Sequence, residues 1–250
     1  MSIKSVLRHL EYLLFPPICR VCGERQSIFK ATLPQPLCDG CSAKWAEQMQ
    51  ELCPQCGESR ARCSCAPEAL RLSNCDRLVK LAQYRAKDAG VAERLILRCK
   101  DVNDRALFRY LAADLVMPVF RVLREDGVDV ENAVVTYAPR RMGQRIVVGH
   151  DQAAQLSRAL ATGLGCRWNK AIRRVVGTRQ QKELGVKARL DNAHRSYRIK
   201  AHTDIKDKTV LLVDDVCTTG ATLAACTELL YAAGAKRVIA VCVAVHEKEQ

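Results

Sequence analysis

Residues 209–223, Thr209-Val-Leu-Leu-Val-Asp-Asp-Val-Cys-Thr-Thr-Gly-Ala-Thr-Leu223, constrain the fold of this chain more than any other stretch. Val210 to Val213 form an unbroken apolar run with two β-branched residues, the pattern of a strand covered on both faces of a parallel sheet. Asp214 and Asp215 follow where such a strand emerges at its carboxyl end, and ligands of open α/β sheets bind outside that end. Thr218, Thr219, Gly220, Ala221 and Thr222 then make a small, hydroxyl-rich loop leading into the helical pattern Leu223, Cys226, Thr227, Leu230. With Gly220 free to take a backbone closed to other residues, the loop N–H groups and threonine hydroxyls would face an anion at a helix N-terminus. Carboxylates accept hydrogen bonds from hydroxyl groups, so the pair and the loop together suit a sugar with vicinal hydroxyls beside a phosphate. The Gly-Lys-Ser/Thr ending of a Walker A loop is missing, and Gly220 alone does not make the three-glycine dinucleotide turn. The bland alternative is a solvated Asp-Asp turn between a strand and a helix.

The second constraint is where the fourteen cysteines fall. Eight lie between 19 and 65, while Cys75, Cys99, Cys166, Cys217, Cys226 and Cys242 are scattered singly, as small core residues are in a reducing compartment. Cys19-x2-Cys22 is followed after fifteen residues by Cys38-x2-Cys41. Each pair can form a knuckle that brings two thiolates to one ion, and the spacer lets a second knuckle complete a tetrahedron. Gly23 and Gly40 are expected to relax the two knuckle turns. Cys53-x2-Cys56 with Cys63-x-Cys65 offers a second four-thiolate set. Pairing interleaved between the two sets stays open, as does a disulfide or free-thiol cluster. Iron shares the softness and geometry, but zinc is the expected ion. With no His or carboxylate filling an open position, its role is structural.

These signals divide the chain into an N-terminal amphipathic helix over 1–17, a cysteine-rich zinc-ribbon module over 18–67 and an α/β domain over 75–250. The helix rests on Ile3, Val6, Leu7, Leu10, Leu13 and Leu14 and is ended by Phe15-Pro16-Pro17. Lys4, Arg8, His9 and Glu11 interrupt it, and without a small-residue cleavage site it is not expected to be a signal peptide. No apolar run approaches the ~18–20 residues of a membrane span, and the cytoplasm is the expected compartment. Beyond the cysteines we expect a strand within 75–85 and helices near 88–100 and 104–124, the second kinked at Pro118. A buried strand at Ala133–Tyr137 and a helix from about 151 to 162 follow. The stretch 171–200 reads as a short strand, a polar segment and a helix or turn, and Arg237–Val245 as a closing strand. Strands alternating with helices give a parallel α/β sheet.

Net charge is +13, and between 140 and 200 fifteen Lys and Arg stand against three acids. Such a face attracts a small polyanion or nucleic acid, and charge alone does not choose; a solvated basic surface is the third reading. Aromatic residues are 5% of the chain, too few for stacking platforms, so any hold on single-stranded DNA would be mainly electrostatic. Arg173 and Arg174 lie away from the phosphate loop in sequence. Reversing their charges is expected to weaken DNA binding and spare the phosphate ligand.

Val213 to Thr222 closely resembles the PRPP-binding motif of type I phosphoribosyltransferases. Leu14-Phe15-Pro16-Pro17-x-Cys19-x2-Cys22 and Thr178-x2-Gln181-x2-Leu184-x4-Arg189-x2-Asn192 extend the resemblance over almost the whole chain, to the ComF/GntX-like proteins. The resemblance implies an α/β fold, a parallel-sheet type I phosphoribosyltransferase-like domain with a small N-terminal zinc-ribbon module. It implies that Asp214 and Asp215 are catalytic and hold the ribose hydroxyls of PRPP, directly or through Mg²⁺. Val216, Thr218, Thr219, Gly220, Ala221 and Thr222 would complete the PRPP site around the 5′-phosphate. Arg140, Arg141 and Arg145 are the candidates for the leaving pyrophosphate, with Arg189 in a lid over 177–189. One region departs from the family: Val-Pro-Val-Pro and Arg-Gly-Phe-Asn-Gln are replaced by Thr136-Tyr137-Ala138-Pro139 and Val148-Gly149-His150-Asp151-Gln152. That alters the pyrophosphate side while the phosphate loop is intact. Two functions follow from the resemblance. One is a PRPP-binding protein of DNA uptake in natural competence or of DNA utilisation, with single-stranded DNA and the uptake machinery as partners. The other is an active nucleobase phosphoribosyltransferase of nucleotide salvage.

Overall fold

A computed structural model describes residues 16–26, 35–75, 77–84, 90–139, 151–175, 196–201 and 203–246. The helix expected over 1–17 falls outside them but for its last two residues. In chain order the elements are α1 (Asp39–Gln50), α2 (Glu68–Leu72), β1 (Leu78–Val79), β2 (Ala82–Tyr84), α3 (Val91–Asp101) and α4 (Arg105–Glu125). A 3-10 turn (Val130–Asn132) leads into β3 (Ala133–Tyr137), α5 (Gln152–Leu164), β4 (Arg167–Trp168), β5 (Ile172–Arg174) and β6 (Tyr197–Ile199). Last come β7 (Thr209–Val213), β8 (Val216–Cys217), α6 (Ala221–Ala232), β9 (Arg237–Val241) and β10 (Ala244–His246).

The main sheet has the order β1-β9-β7-β3-β4 and every pairing in it is parallel. Parallel strands need crossovers, and the helices that provide them cover both faces. All five residues of β7 are buried. Leu211 and Val213 join a core with Leu95, Leu107, Leu111, Leu115, Leu156 and Leu160 of α3, α4 and α5. Val210 and Leu212 join a second core on the opposite face, with Leu70, Leu223, Cys226 and Leu230 of α2 and α6. The alternation follows from the two-residue period of a strand, and it explains why the sequence run contains no polar position.

Three neighbouring strands break at one level. β1 passes to β2 across Lys80 and Leu81, β7 to β8 across Asp214 and Asp215, and β9 to β10 across Cys242 and Val243. Beyond the break the same three strands pair again, in parallel, in the order β2-β10-β8. The strands expected at 75–85 and 237–245 are therefore each two short strands joined by a bend. The stretch 171–200 contributes an antiparallel ribbon, β5 with β6, and its expected helix or turn at 189–194 lies outside the described residues.

α4 starts where the Asp104 side chain accepts the N–H groups of Ala106 (3.0 Å) and Leu107 (3.2 Å), an N-cap. It continues through Pro118 for 21 residues in all, although proline removes the bond to the carbonyl four residues earlier. Among the described residues no helix is long and apolar enough to cross a membrane.

Candidate functional site

The acidic pair owes its geometry to the break. Asp214 N–H still donates to the Val241 carbonyl (2.9 Å), but Asp215 N–H turns back onto Asp214 Oδ1 (2.9 Å) and Val243 N–H donates to the Asp215 carbonyl (3.0 Å). The two carboxylates are thus held at the carboxyl end of β7. Asp214 is half-buried and Asp215 only 8% exposed. A solvated turn would leave both carboxylates exposed; Asp215 is buried instead, because the strand continues past it as β8.

After β8, Thr218 is exposed, Thr219 half-buried, and Gly220 adopts the left-handed conformation (φ +79) as the residue preceding α6. A Cβ on Gly220 would lie 3.2 Å from Leu70 Cδ1 of α2, so the turn needs glycine both for its backbone angle and for its packing. Ala221 and Thr222 form the first turn of α6, a 12-residue helix whose leading N–H groups carry the positive end of its dipole.

A cleft of about 370 Å³ opens beside these residues, lined by Lys100, Ala138, Pro139, Arg174, Tyr197, Asp214, Asp215 and Thr222. It joins the acidic pair, the first turn of α6, the end of β3 and the ribbon. Arg174 Nη1 donates to the Tyr197 hydroxyl (3.0 Å) and its guanidinium lies over the Tyr197 ring at 5.0 Å. Burial pushes the Tyr197 phenol up, helped by the negative charge of Asp214 and opposed by Arg174 and a hydrogen bond with Thr222. The phenol therefore stays protonated and serves as a neutral wall.

Three cleft residues escaped sequence reasoning. Arg174 was expected to lie away from the phosphate ligand; the pairing of β5 with β6 (Arg174 opposite Tyr197) brings it into the cleft, while Arg173 is exposed. Tyr197 sat in a stretch with no strand signal. Lys100 ends an amphipathic helix far upstream, where a lysine in the last turn reads as ordinary charge against the helix dipole. Arg140, Arg141, Arg145 and Arg189, expected on the pyrophosphate side and the lid, lie outside the described residues.

The eight clustered cysteines form two groups without interleaving: Cys19, Cys22, Cys38 and Cys41, and Cys53, Cys56, Cys63 and Cys65. In each, the sulfur atoms all lie within 4.8 Å of one another, and Cys22 Sγ is 3.6 Å from Cys38 Sγ. Four sulfurs around one zinc at ~2.3 Å stand about 3.8 Å apart, so both groups fit the ion. The first pair of each set is built alike. Cys19 and Cys53 accept the N–H of Gly23 (3.0 Å) and Gly57 (2.8 Å), and donate their own to the carbonyls of Glu24 and Glu58 (2.8 Å each). Gly40, expected to relax a knuckle, instead lies in the first turn of α1 with Cys41; helix geometry provides that corner.

Within each set the thiols share one pool of charge. Burial works to raise Cys19, yet backbone N–H groups of the knuckle hold it down to about 7. Burial likewise opposes ionisation of Cys63, but the Cys65 N–H and the Lys80 ammonium bring it to about 6. Burial and the neighbouring thiols push Cys41 up and raise Cys65 to about 12. A divalent cation would relieve that repulsion and hold all four as thiolates.

Comparison with known proteins agrees with this architecture. The phosphoribosyl transferase domain family matches residues 144–250. DNA utilization protein YhgH of Salmonella typhimurium is 30% identical over 207 residues, which cover 81% of this chain and 87% of that protein. The chain belongs to the ComF/GntX family. DNA utilization protein YhgH of Escherichia coli (strain K12), 28% identical, covers the same shares. A purine phosphoribosyltransferase from Pyrococcus horikoshii is 25% identical over 55% of this chain and 74% of its own, with a TM-score of 0.31. As a ComF/GntX protein the chain combines a parallel-sheet phosphoribosyltransferase-like domain with N-terminal cysteine clusters suited to zinc.

Proposed function

We propose that this protein binds PRPP, or a closely related phosphoribosyl ligand, with Mg²⁺ and acts in the uptake or utilisation of DNA in the cytoplasm. The observation that carries the ligand is the junction of the acidic pair with the glycine-led start of α6 on one cleft. Asp214 and Asp215 accept the ribose hydroxyls, directly or through Mg²⁺. Thr218, Thr219, Gly220, Ala221 and Thr222 surround the 5′-phosphate with N–H and hydroxyl donors at a helix N-terminus, and Val216 sets their starting point. Arg174 and Lys100 are cations within reach of the remaining phosphates. Arg140, Arg141, Arg145 and Arg189 complete the pyrophosphate side and the lid in this reading. The domain division follows the same logic: a helix over 1–17, two structural zinc sites within 18–67, and the ligand-binding domain over 75–250.

The DNA role rests on relatives named DNA utilization proteins and on the exposed ribbon cations Arg173, Arg198 and Lys200. Single-stranded DNA is the partner such a polar, aromatic-poor surface suits. Isothermal titration of the zinc-loaded protein with PRPP and Mg²⁺ tests the ligand. Binding is expected in the native protein and a loss of at least tenfold in Asp214→Asn and Asp215→Asn. Unchanged affinity in both variants would overturn the site. Release of pyrophosphate with any of a panel of nucleobases would instead identify an active salvage phosphoribosyltransferase, the chemistry a preserved phosphate loop permits.

A further inference from the structure

One cation is buried against the second cysteine set. Lys80 stands in the break between β1 and β2 and is 4% exposed. An ammonium taken out of water is costly unless its hydrogen bonds are replaced. All three replacements come from one knuckle: Nζ donates to Cys63 Sγ (3.2 Å), to the Cys63 carbonyl (3.4 Å) and to the Cys65 carbonyl (3.0 Å). Among the described residues no carboxylate pairs with Lys80. Four thiolates around a divalent ion carry two net negative charges, so this set offers the counter-charge that a buried lysine requires. The first set has no such cation donating to its sulfurs among the described residues. Its neighbouring Arg20 pairs with Asp104, the N-cap of α4 (2.5 Å).

The two sets are therefore anchored to different parts of the protein. The first leans on α3 and α4 through Arg20, Trp45 Nε1 on Asp114 (2.8 Å) and the Gln48 side chain on Ala92 N–H (2.9 Å). The second is tied to the floor of the cleft by two routes. Through Lys80 it reaches the peptides on either side: the Val79 carbonyl accepts from Cys242 (2.9 Å), and Leu81 N–H donates to the Val243 carbonyl (3.0 Å). Val243 in turn donates to Asp215 (3.0 Å). Through the chain after Cys65 it reaches α2, whose Leu70 packs against Gly220 of the phosphate loop.

We propose that Lys80 is the positioning residue of the second four-thiolate site, locking its metal against the break in the sheet, so that this site supports the cleft. The cleft half of this inference rests on the phosphoribosyl-ligand reading above; the metal half does not. Partners just outside a metal's ligands typically account for 10–100-fold in affinity. Zinc transfer from the full chain to a chromogenic chelator separates the two sites, each assigned by its absence in Cys22→Ser or Cys56→Ser. In Lys80→Met the second-site affinity should fall about 10–100-fold, with the first unchanged. The thiolate-to-metal absorption of the cobalt-substituted protein should shift in the second-site component only, because Cys63 loses an ammonium donor. Lys80→Arg, which keeps charge and donors, should recover most of the loss. If Lys80→Met does not fold, Lys80→Gln carries the same measurement. PRPP affinity should fall at least tenfold further in Cys56→Ser than in Cys22→Ser. Native zinc release and a native cobalt spectrum in Lys80→Met or Lys80→Gln would overturn the positioning role. Equal loss of PRPP affinity in the two cysteine variants would overturn the link to the cleft. A native protein that binds no PRPP would overturn the ligand reading and this link with it, leaving the role of Lys80 to be decided by the metal data.

Discussion

Replacing Gly220 by alanine tests the phosphate loop with a magnitude that the structure sets. Gly220 has φ +79, and a residue with a Cβ pays about 1–2 kcal/mol there. The new methyl would also stand 3.2 Å from Leu70 Cδ1, 3.6 Å from Leu70 Cγ and 3.7 Å from Ala69 Cβ, so α2 has to give by a few tenths of an ångström. Overpacking of this kind adds about 1 kcal/mol or more, for about 2–3 kcal/mol in total. For a chain of 250 residues each kcal/mol moves Tm by roughly 2–4 °C, which puts Gly220→Ala about 4–12 °C below the native protein. Gly165, after α5, provides the control: its φ is +72, and a Cβ there meets nothing within 4 Å. Gly165→Ala should cost the backbone part alone, about 1–2 kcal/mol, and leave PRPP affinity unchanged. Thermal unfolding of the zinc-loaded proteins followed by circular dichroism measures both. Equal Tm losses in the two variants would refute the packing of the loop on α2. Native PRPP affinity in Gly220→Ala would refute its role in setting the donors of α6.

Purified protein should hold two zinc ions per chain by elemental analysis, and Cys22→Ser and Cys56→Ser should each hold one; a native stoichiometry of one would dismiss a site. Arg174→Met should weaken PRPP binding at least tenfold in titration calorimetry, whereas Arg173→Ala should spare it and reduce the slope of log K against log salt for single-stranded DNA by about 1. The opposite pattern would mean that the ribbon faces are misassigned. Burial raises Cys217 from 9.0 to about 12, with Asp214 adding to it, and raises Cys166 to about 11. A thiol raised on folding lends stability that is intact below its unfolded pKa and lost as pH rises toward the folded one. Tm should therefore fall between about pH 9 and pH 12, and Cys217→Ala should flatten that fall; an unaltered slope would mean that Cys217 titrates normally.

The fold was legible where burial imposed a pattern. β7 and β3 each lie under two layers, so every position is apolar or small, and the sequence run and the strand coincide. α3, α4 and α5 each bury one face, so their periodicity was visible and only their ends differ by a few residues. The break was not legible, because each strand crosses it with residues that suit a strand. Lys80 interrupts Leu78-Val79 and Leu81-Ala82 with a single charge, and the acceptors that make it tolerable belong to cysteines some fifteen residues upstream in sequence. β4, Arg167–Trp168, is a two-residue edge strand, too short to show a period. Of the ribbon, the short strand expected within 171–200 is β5, despite two arginines in its three residues; its partner β6 was hidden, being three residues long with Arg198 at its centre. The acidic pair and loop were legible because their chemistry is contiguous; Arg174, Tyr197 and Lys100 meet them only in space.

Charge in the cleft bears on the partner. Its described ionisable lining is balanced: Lys100 and Arg174 against Asp214 and Asp215. Of the basic residues described between 140 and 200, Arg174 alone lines it. Arg158 is spent over the Trp168 ring at 4.5 Å, and Arg167 pairs with Asp204 at 2.5 Å. Arg173 and Arg198 stand directly opposite each other in the ribbon, both exposed, with Lys200 exposed beyond them. Like charges opposed across a strand pair are destabilising in isolation. Arg198 also donates to the Tyr197 carbonyl (2.7 Å), so the pair adds outward positive potential rather than an unmet charge. In the proposed DNA role a chain of phosphates along the ribbon would meet that potential, at a strength that salt would erode. The two halves of the proposed function thus draw on different residues: a balanced cleft for the small ligand, and an outward ribbon for a polyanion longer than the cleft.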